Sequence, residues 1–113
     1  MKKNTILIVD DQEVNRFLLS EIFADKYEII EAANGIEAIK AIKKDAMRIC
    51  VVLLDIVMPE MGGFEVLDLL RKKKLLGIMP VIMITGDTNP ELENKGFDKV
   101  QQTLYTSRLI HML

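Results

Sequence analysis

The sequence holds one cysteine, Cys50, among 113 residues. A single thiol excludes an intramolecular disulfide framework and any multi-cysteine zinc site, and Cys50 itself reads as an inert small hydrophobe at the start of a buried strand. The one histidine, His111, sits in an apolar tail and reads as a surface or partly packed residue rather than a phosphodonor or ligand. Neither sign of charge is in excess: 15 Lys and Arg against 17 Asp and Glu leave a net charge of -2, so nothing favours broad attraction to nucleic acid or anionic lipid. Long apolar runs are missing too, and none approaches the ~20 residues a membrane span needs. Lys2 and Lys3 followed by Ile6, Leu7, Ile8 and Val9 imitate the opening of a signal peptide. That run stops at Asp10 and Asp11, short of the ~7–15 apolar residues required. Disorder is excluded by a hydrophobic content of 50%. The expectation is a soluble cytoplasmic protein with a single domain over residues 1–113 and no output domain in this chain.

What is present alternates. Short aliphatic or β-branched runs, Ile6–Val9, Tyr27–Ile30, Ile49–Leu54 and Val81–Ile84, have the length of strands. The third is apolar throughout, as a strand covered on both faces should be. Between them lie amphipathic stretches. In Glu13–Asp25 the residues Val14, Phe17, Leu18 and Ile22 share one helical face, and Phe17 and Leu18 are expected to pack into the core. Gly35–Asp45 carries Ile36, Ile39 and Ile42 with lysines between them. Phe64–Leu75 places Phe64, Leu67, Leu70 and Leu75 ahead of and just beyond the Arg71–Lys74 run, a solvated helix end where cations suit the dipole. Strand and helix in strict alternation predict a parallel sheet with helices on both faces. After Pro90 the pattern weakens: Pro90–Gly96 suits a short fourth helix, Val100–Leu104 an irregular fifth strand, and Thr106–Leu113 only about two turns of a truncated last helix. A strand left uncovered there would invite a homodimer.

Open parallel sheets bind ligands outside the carboxyl ends of their strands. The first strand ends in Asp10 and Asp11, the third in Asp55, and the fourth in Thr85, Gly86 and Asp87. If those strands are neighbours, three carboxylates and a hydroxyl meet at one edge. Two unit charges ~4 Å apart cost about 4 kcal/mol at an effective dielectric of 20, so protons or a cation must neutralise the cluster. Hard oxygen donors suit Mg²⁺, or Mn²⁺, rather than zinc. Such an ion recruits a phosphate oxygen, which Thr85 could hydrogen-bond and which the Gly86 N–H could approach closely. A carboxylate beside a metal is also a possible phosphoryl acceptor. Taken singly, each aspartate is more simply a helix cap or a water-binding group. Taken together at three strand ends, with Thr85, they point to a site.

At these residues the chain resembles a response-regulator receiver domain of two-component signalling. The resemblance rests on Ile6–Asp11, on Val52–Gly63 and on Val81–Gly86, with Asn15 and the Asn34-Gly35 turn in keeping, and covers residues 4–98. It implies a flavodoxin-like, doubly wound, five-stranded sheet of order 2-1-3-4-5. It implies that Asp55 accepts a phosphoryl group from a sensor histidine kinase or phosphotransfer protein, and that an unknown downstream protein reads the change. Asp11 matches the direct metal ligand, Asp10 its water-linked companion, and the Val57 main-chain carbonyl a further ligand. Thr85 matches the hydroxyl that moves toward the phosphoryl group, while Val57 and Asp87 match positions that tune dephosphorylation. The start of the first helix matches the place where kinases or phosphotransfer proteins dock. Met58 and Met61 flank the acceptor loop as filler or as part of a partner surface.

One departure stands out. Such domains carry a lysine, usually followed by proline, at the end of the fifth strand. Counting from Gly96, Thr103 takes that position here, Lys99 is the last lysine, and no proline follows Pro90. Losing that ammonium weakens the expectation of normal switching more than that of cation binding. It keeps a rival in view, a degenerate receiver that binds proteins without being phosphorylated. An enzyme of the haloacid-dehalogenase kind is disfavoured, because Asp10-Asp11-Gln12-Glu13-Val14 does not match its Asp-x-Asp-x-Thr motif. No turnover of an external substrate is expected.

Overall fold

The computed structural model describes residues 3–75, 77 and 79–84. β1 (Thr5–Val9) is followed by α1 (Glu13–Phe23), β2 (Glu28–Ala32), α2 (Gly35–Asp45), β3 (Ile49–Asp55), α3 (Gly63–Lys72) and β4 (Val81–Ile84). All strand pairs are parallel and the described sheet has the order β2-β1-β3-β4. This is the flavodoxin-like order expected, as far as the described strands reach. The candidate fourth helix, fifth strand and last helix, residues 90–113, lie outside the described residues.

Parallel pairing explains why β1 and β3 consist of apolar residues. Strands inside such a sheet are covered on both faces, and every residue of β1 is buried. Alternate side chains then serve different layers. Leu7, Val9, Val52, Leu54, Val81 and Met83 face α2 and α3, where Ile42, Phe64, Val66, Leu67 and Leu70 complete a continuous core. Ile6, Ile8 and Leu53 face the other way, toward Leu19 and Phe23 of α1. Between Thr5 and Ile6 the pairing with β3 shifts from Ile49 to Val51, leaving Cys50 as an extra residue in a bulge.

The structure corrects several sequence-based boundaries and one helical face. β2 begins at Glu28, not Tyr27, and continues through Glu31 to Ala32. α1 ends at Phe23, two residues before Asp25. α3 ends at Lys72, and Lys74 adopts a left-handed φ of 59°, a stop that the lysine run conceals. Phe17 and Leu18 do not pack into the core: they are 57% and 56% exposed. Val14 and Ile22 are exposed as well. The sheet is met instead by the opposite stripe, Arg16, Leu19, Ser20 and Phe23. Both stripes have helical period, so periodicity alone could not choose between them.

Candidate functional site

β1 and β3 are direct neighbours, and Val9 is paired with Leu54. The next residue on each strand is therefore an aspartate at the same carboxyl edge. Asp10, Asp11 and Asp55 each offer a carboxylate oxygen, and these oxygens lie within 4.8 Å of one another. The three site carboxylates predicted from sequence are thus brought together. Val57 follows two residues after Asp55, with an exposed side chain, in the loop that leads to α3. Thr85, Gly86 and Asp87 lie outside the described residues.

The β1 end is held from several sides. The Asp10 amide donates to the Ala32 carbonyl at 3.1 Å, which ties it to β2. Asp10 Oδ1 accepts from the Gln12 amide at 2.9 Å, a local turn that fixes the carboxylate and starts α1. The Asp10 carbonyl accepts from Arg16 Nη1 at 2.7 Å, while Arg16 Nε donates to Glu31 Oε1 at 3.1 Å. Asp10 is 6% exposed, one of two buried polar residues among those described.

The β3 end is organised by its loop. The Ile56 amide donates to the Ile84 carbonyl at 3.1 Å, and Gly63 N closes the loop onto the Ile56 carbonyl at 3.0 Å. Asp55 Oδ1 accepts from the Val57 amide at 3.4 Å. Gly62 N donates to the Glu65 carboxylate, which caps the start of α3. Gly63 has no side chain because one would collide with the Asp55 carbonyl oxygen. Glu60 takes a left-handed φ of 66° at the tip. The Asp55 carboxyl is pushed up to about 6, first by burial and then by the charges of Asp10 and Asp11, with the Val57 and Ile56 amides opposing the rise.

These donors fit a hard divalent cation. All are carboxylate oxygens and they converge, and the Asp55 carboxyl is raised by burial first and then by its acidic neighbours. Mg²⁺ or Mn²⁺ suits such a set, and it would replace the proton that otherwise relieves the repulsion.

Sequence reasoning missed Arg16, Glu31 and Glu65. Arg16 reaches a main-chain carbonyl six residues back and a side chain fifteen residues ahead, neither of which spacing reveals. Glu65 had a legible signal, an acidic residue in the first turn of a helix after a glycine.

Comparison with known proteins identifies the family. The family model of the response regulator receiver domain matches residues 6–103. The chain belongs to that family. It is 43% identical over 94 residues to a probable cyclic di-GMP phosphodiesterase of Vibrio cholerae, covering 83% of this chain and 21% of that protein. It is 35% identical over 96 residues to the transcriptional regulatory protein SrrA of Staphylococcus aureus, covering 84% of this chain and 38% of SrrA. The chain therefore spans between a fifth and two fifths of these relatives' length. Among solved structures it resembles one of the CheX-CheY-BeF3-Mg²⁺ complex from Borrelia burgdorferi, with a TM-score of 0.71 and 29% identity over 91% of this chain and 87% of that one. The chain is a receiver domain of two-component response regulators, a family whose typical role is to accept a phosphoryl group. The degenerate-receiver alternative is not favoured.

Proposed function

We propose that Asp55 is the phosphoacceptor of this receiver domain, and that Asp10, Asp11, Asp55 and the Val57 main-chain carbonyl hold Mg²⁺ beside it. The observation that carries the reading is the meeting of three carboxylate oxygens from two adjacent strand ends within 4.8 Å. When bound, the ion would neutralise the carboxylates and the incoming phosphoryl oxygens. A deprotonated Asp55 oxygen attacks phosphorus; the P–O bond forms as the P–N bond to the donor's phosphohistidine breaks, and the histidine nitrogen leaves with the electron pair. Asp10, held by the Gln12 amide and the Arg16 guanidinium, keeps its position while Asp55 changes charge. Thr85 and Gly86 follow directly after Ile84, the residue in register with Asp55, and their hydroxyl and amide are assigned to the phosphoryl oxygens. With Thr103 at the position where the family pattern calls for lysine, Thr85 is left as the side chain that reports the phosphoryl group.

The donor is a sensor histidine kinase or phosphotransfer protein, and the output is a protein–protein contact altered by phosphorylation. The reaction is assigned to the cytoplasm; no described helix is long and apolar enough to cross a membrane. The differing names of the relatives, a phosphodiesterase and a transcriptional regulator, fit a module that serves more than one kind of output.

The test is incubation with Mg²⁺ and a small phosphodonor, read by intact mass. One phosphoryl adduct is expected, absent in Asp55→Asn and in the presence of a chelator. Cation binding without an adduct would make this a degenerate receiver, and repeated turnover of a phosphomonoester would make it an enzyme.

A further inference from the structure

Gly35 opens α2 and is buried, yet nothing about its backbone requires glycine. No described glycine has a positive φ. The cap before it is Asn34, whose Oδ1 accepts from the Glu37 amide at 2.8 Å, and any residue can follow such a cap. The need is for space. A Cβ built on Gly35 would lie 2.7 Å from Met61 Cγ, 2.8 Å from Met61 Cβ and 2.8 Å from the Met61 carbonyl oxygen. Cγ could turn aside by rotation of the side chain; Cβ and the carbonyl are fixed to the main chain of the β3–α3 loop and could give way only if the loop itself moved.

Met61 sits in the same loop as Val57, six residues beyond Asp55. The loop is tied at its base, where Gly63 N meets the Ile56 carbonyl. Above that base it rests on two methionines. Met58 is buried in the core between the sheet and α2 and α3, and the half-buried Met61 packs against that core at the seat Gly35 leaves open. A loop closed at its base and resting on two points has little freedom to rise without turning its exposed main chain.

We propose that Gly35 is a positioning residue for the acceptor loop: lacking a side chain at the first residue of α2, it seats Met61 and so sets the placement of the segment that carries the Val57 carbonyl. This rests on the cation reading above and adds a third strand end to it, since α2 is launched from β2. A residue twenty positions upstream of Asp55, touching neither cation nor phosphoryl group, thereby tunes how well the site holds its ion.

The experiment measures Mg²⁺ and Mn²⁺ affinity calorimetrically, and amide hydrogen exchange of residues 56–62 without metal, in the full chain. Gly35→Ala should weaken cation binding about tenfold, the scale of a lost supporting contact around a metal. It should also speed exchange in the loop. Met61→Ala, which removes the seated side chain from the other side, should weaken binding on the same scale, and because both changes act on one contact the double variant should be no more than about threefold weaker than either single. A defect confined to α2 would instead add in full to the loss from Met61→Ala. Parent-like affinity in Gly35→Ala, or losses that add in full in the double variant, overturns the proposal. Should Gly35→Ala not fold, unchanged affinity in Met61→Ala overturns it equally. If the parent binds no cation, the reading of the site fails on its own, and metal-free exchange still decides the role of Gly35: faster in Gly35→Ala and no faster still in the double supports it, no change refutes it.

Discussion

The two acidic strand ends are built on different plans. At the end of β1, Asp10 is buried, its amide, carbonyl and carboxylate all engaged with Ala32, Arg16 and Gln12. At the end of β3, Asp55 is only half-buried, and its carboxylate is met by a long bond from the Val57 amide and by the Ile56 amide. The first plan gives a carboxylate fixed in place. The second gives a carboxylate whose charge is contested, pushed up to about 6 by burial and by its neighbours. On the proposed reading, the second environment suits a phosphoacceptor, a nucleophile that is crowded, reachable and relieved by a cation, and the rigid partner across the strand pair would supply charge that attracts the cation.

The comparison can be broken most severely at the metal. Asp10→Asn keeps an acceptor for the Gln12 amide, yet it removes a unit of charge from the cluster. Isothermal titration should show Mg²⁺ affinity down on the order of 100-fold, at the top of the range for lost supporting contacts around a metal. Asp11→Asn should fall as far. If either leaves affinity intact, the cluster is not the cation's seat.

Arg16→Met tests the rigid end without touching a carboxylate. It removes the charge-assisted bond to the Asp10 carbonyl, and urea unfolding should show a loss of about 2 kcal/mol. Little of that loss comes from Glu31, which is the more exposed partner, so Glu31→Gln should cost under about 1 kcal/mol.

The smallest effect sharpens the contested end. The Asp55 carboxyl has an ordinary value of 3.8 and a folded value of about 6, so the folded, metal-free chain holds that proton more tightly than the unfolded chain does. Its contribution to stability is present in full below the unfolded value and is lost as pH climbs through the folded one. Asp55→Asn cannot acquire the charge. In chelator it should therefore be more stable than the parent at pH 7 by about 1 kcal/mol, after allowance for solvent screening, with the difference gone near pH 4. An advantage that grows toward low pH would contradict the burial and crowding described for Asp55.

Much of the site is legible in the order of residues. Apolar runs that end in Asp10-Asp11 and in Asp55 state their own position, because strand ends in a parallel sheet collect at one edge. The bounds of α2 are equally plain, with the Asn34-Gly35 turn at its start and lysines in its last turn. α1 is the element that pattern misjudges. Val14, Phe17, Leu18 and Ile22 form the more apolar stripe, and the sheet takes Leu19 and Phe23 instead. A stripe's composition does not say which face of the helix the sheet will take; here Arg16, on the covered side, also reaches the Asp10 carbonyl. The Asn34-Gly35 turn is visible as a motif, but its reason is not, since Met61 meets Gly35 from a segment 26 residues away.

Local chemistry alone settled that strands and helices alternate, that carboxylates close two strands, and that oxygen donors without thiolate or imidazole suit a hard cation. Those properties depend on residue type and on periods of two and 3.6, which any stretch of chain carries within itself. Tertiary structure decided which face of α1 is covered, how far the Asp55 carboxyl is raised, and why α2 begins with a residue that has no side chain. Each of these depends on the distance between atoms remote in sequence, and only the packing of helices on the sheet sets that distance.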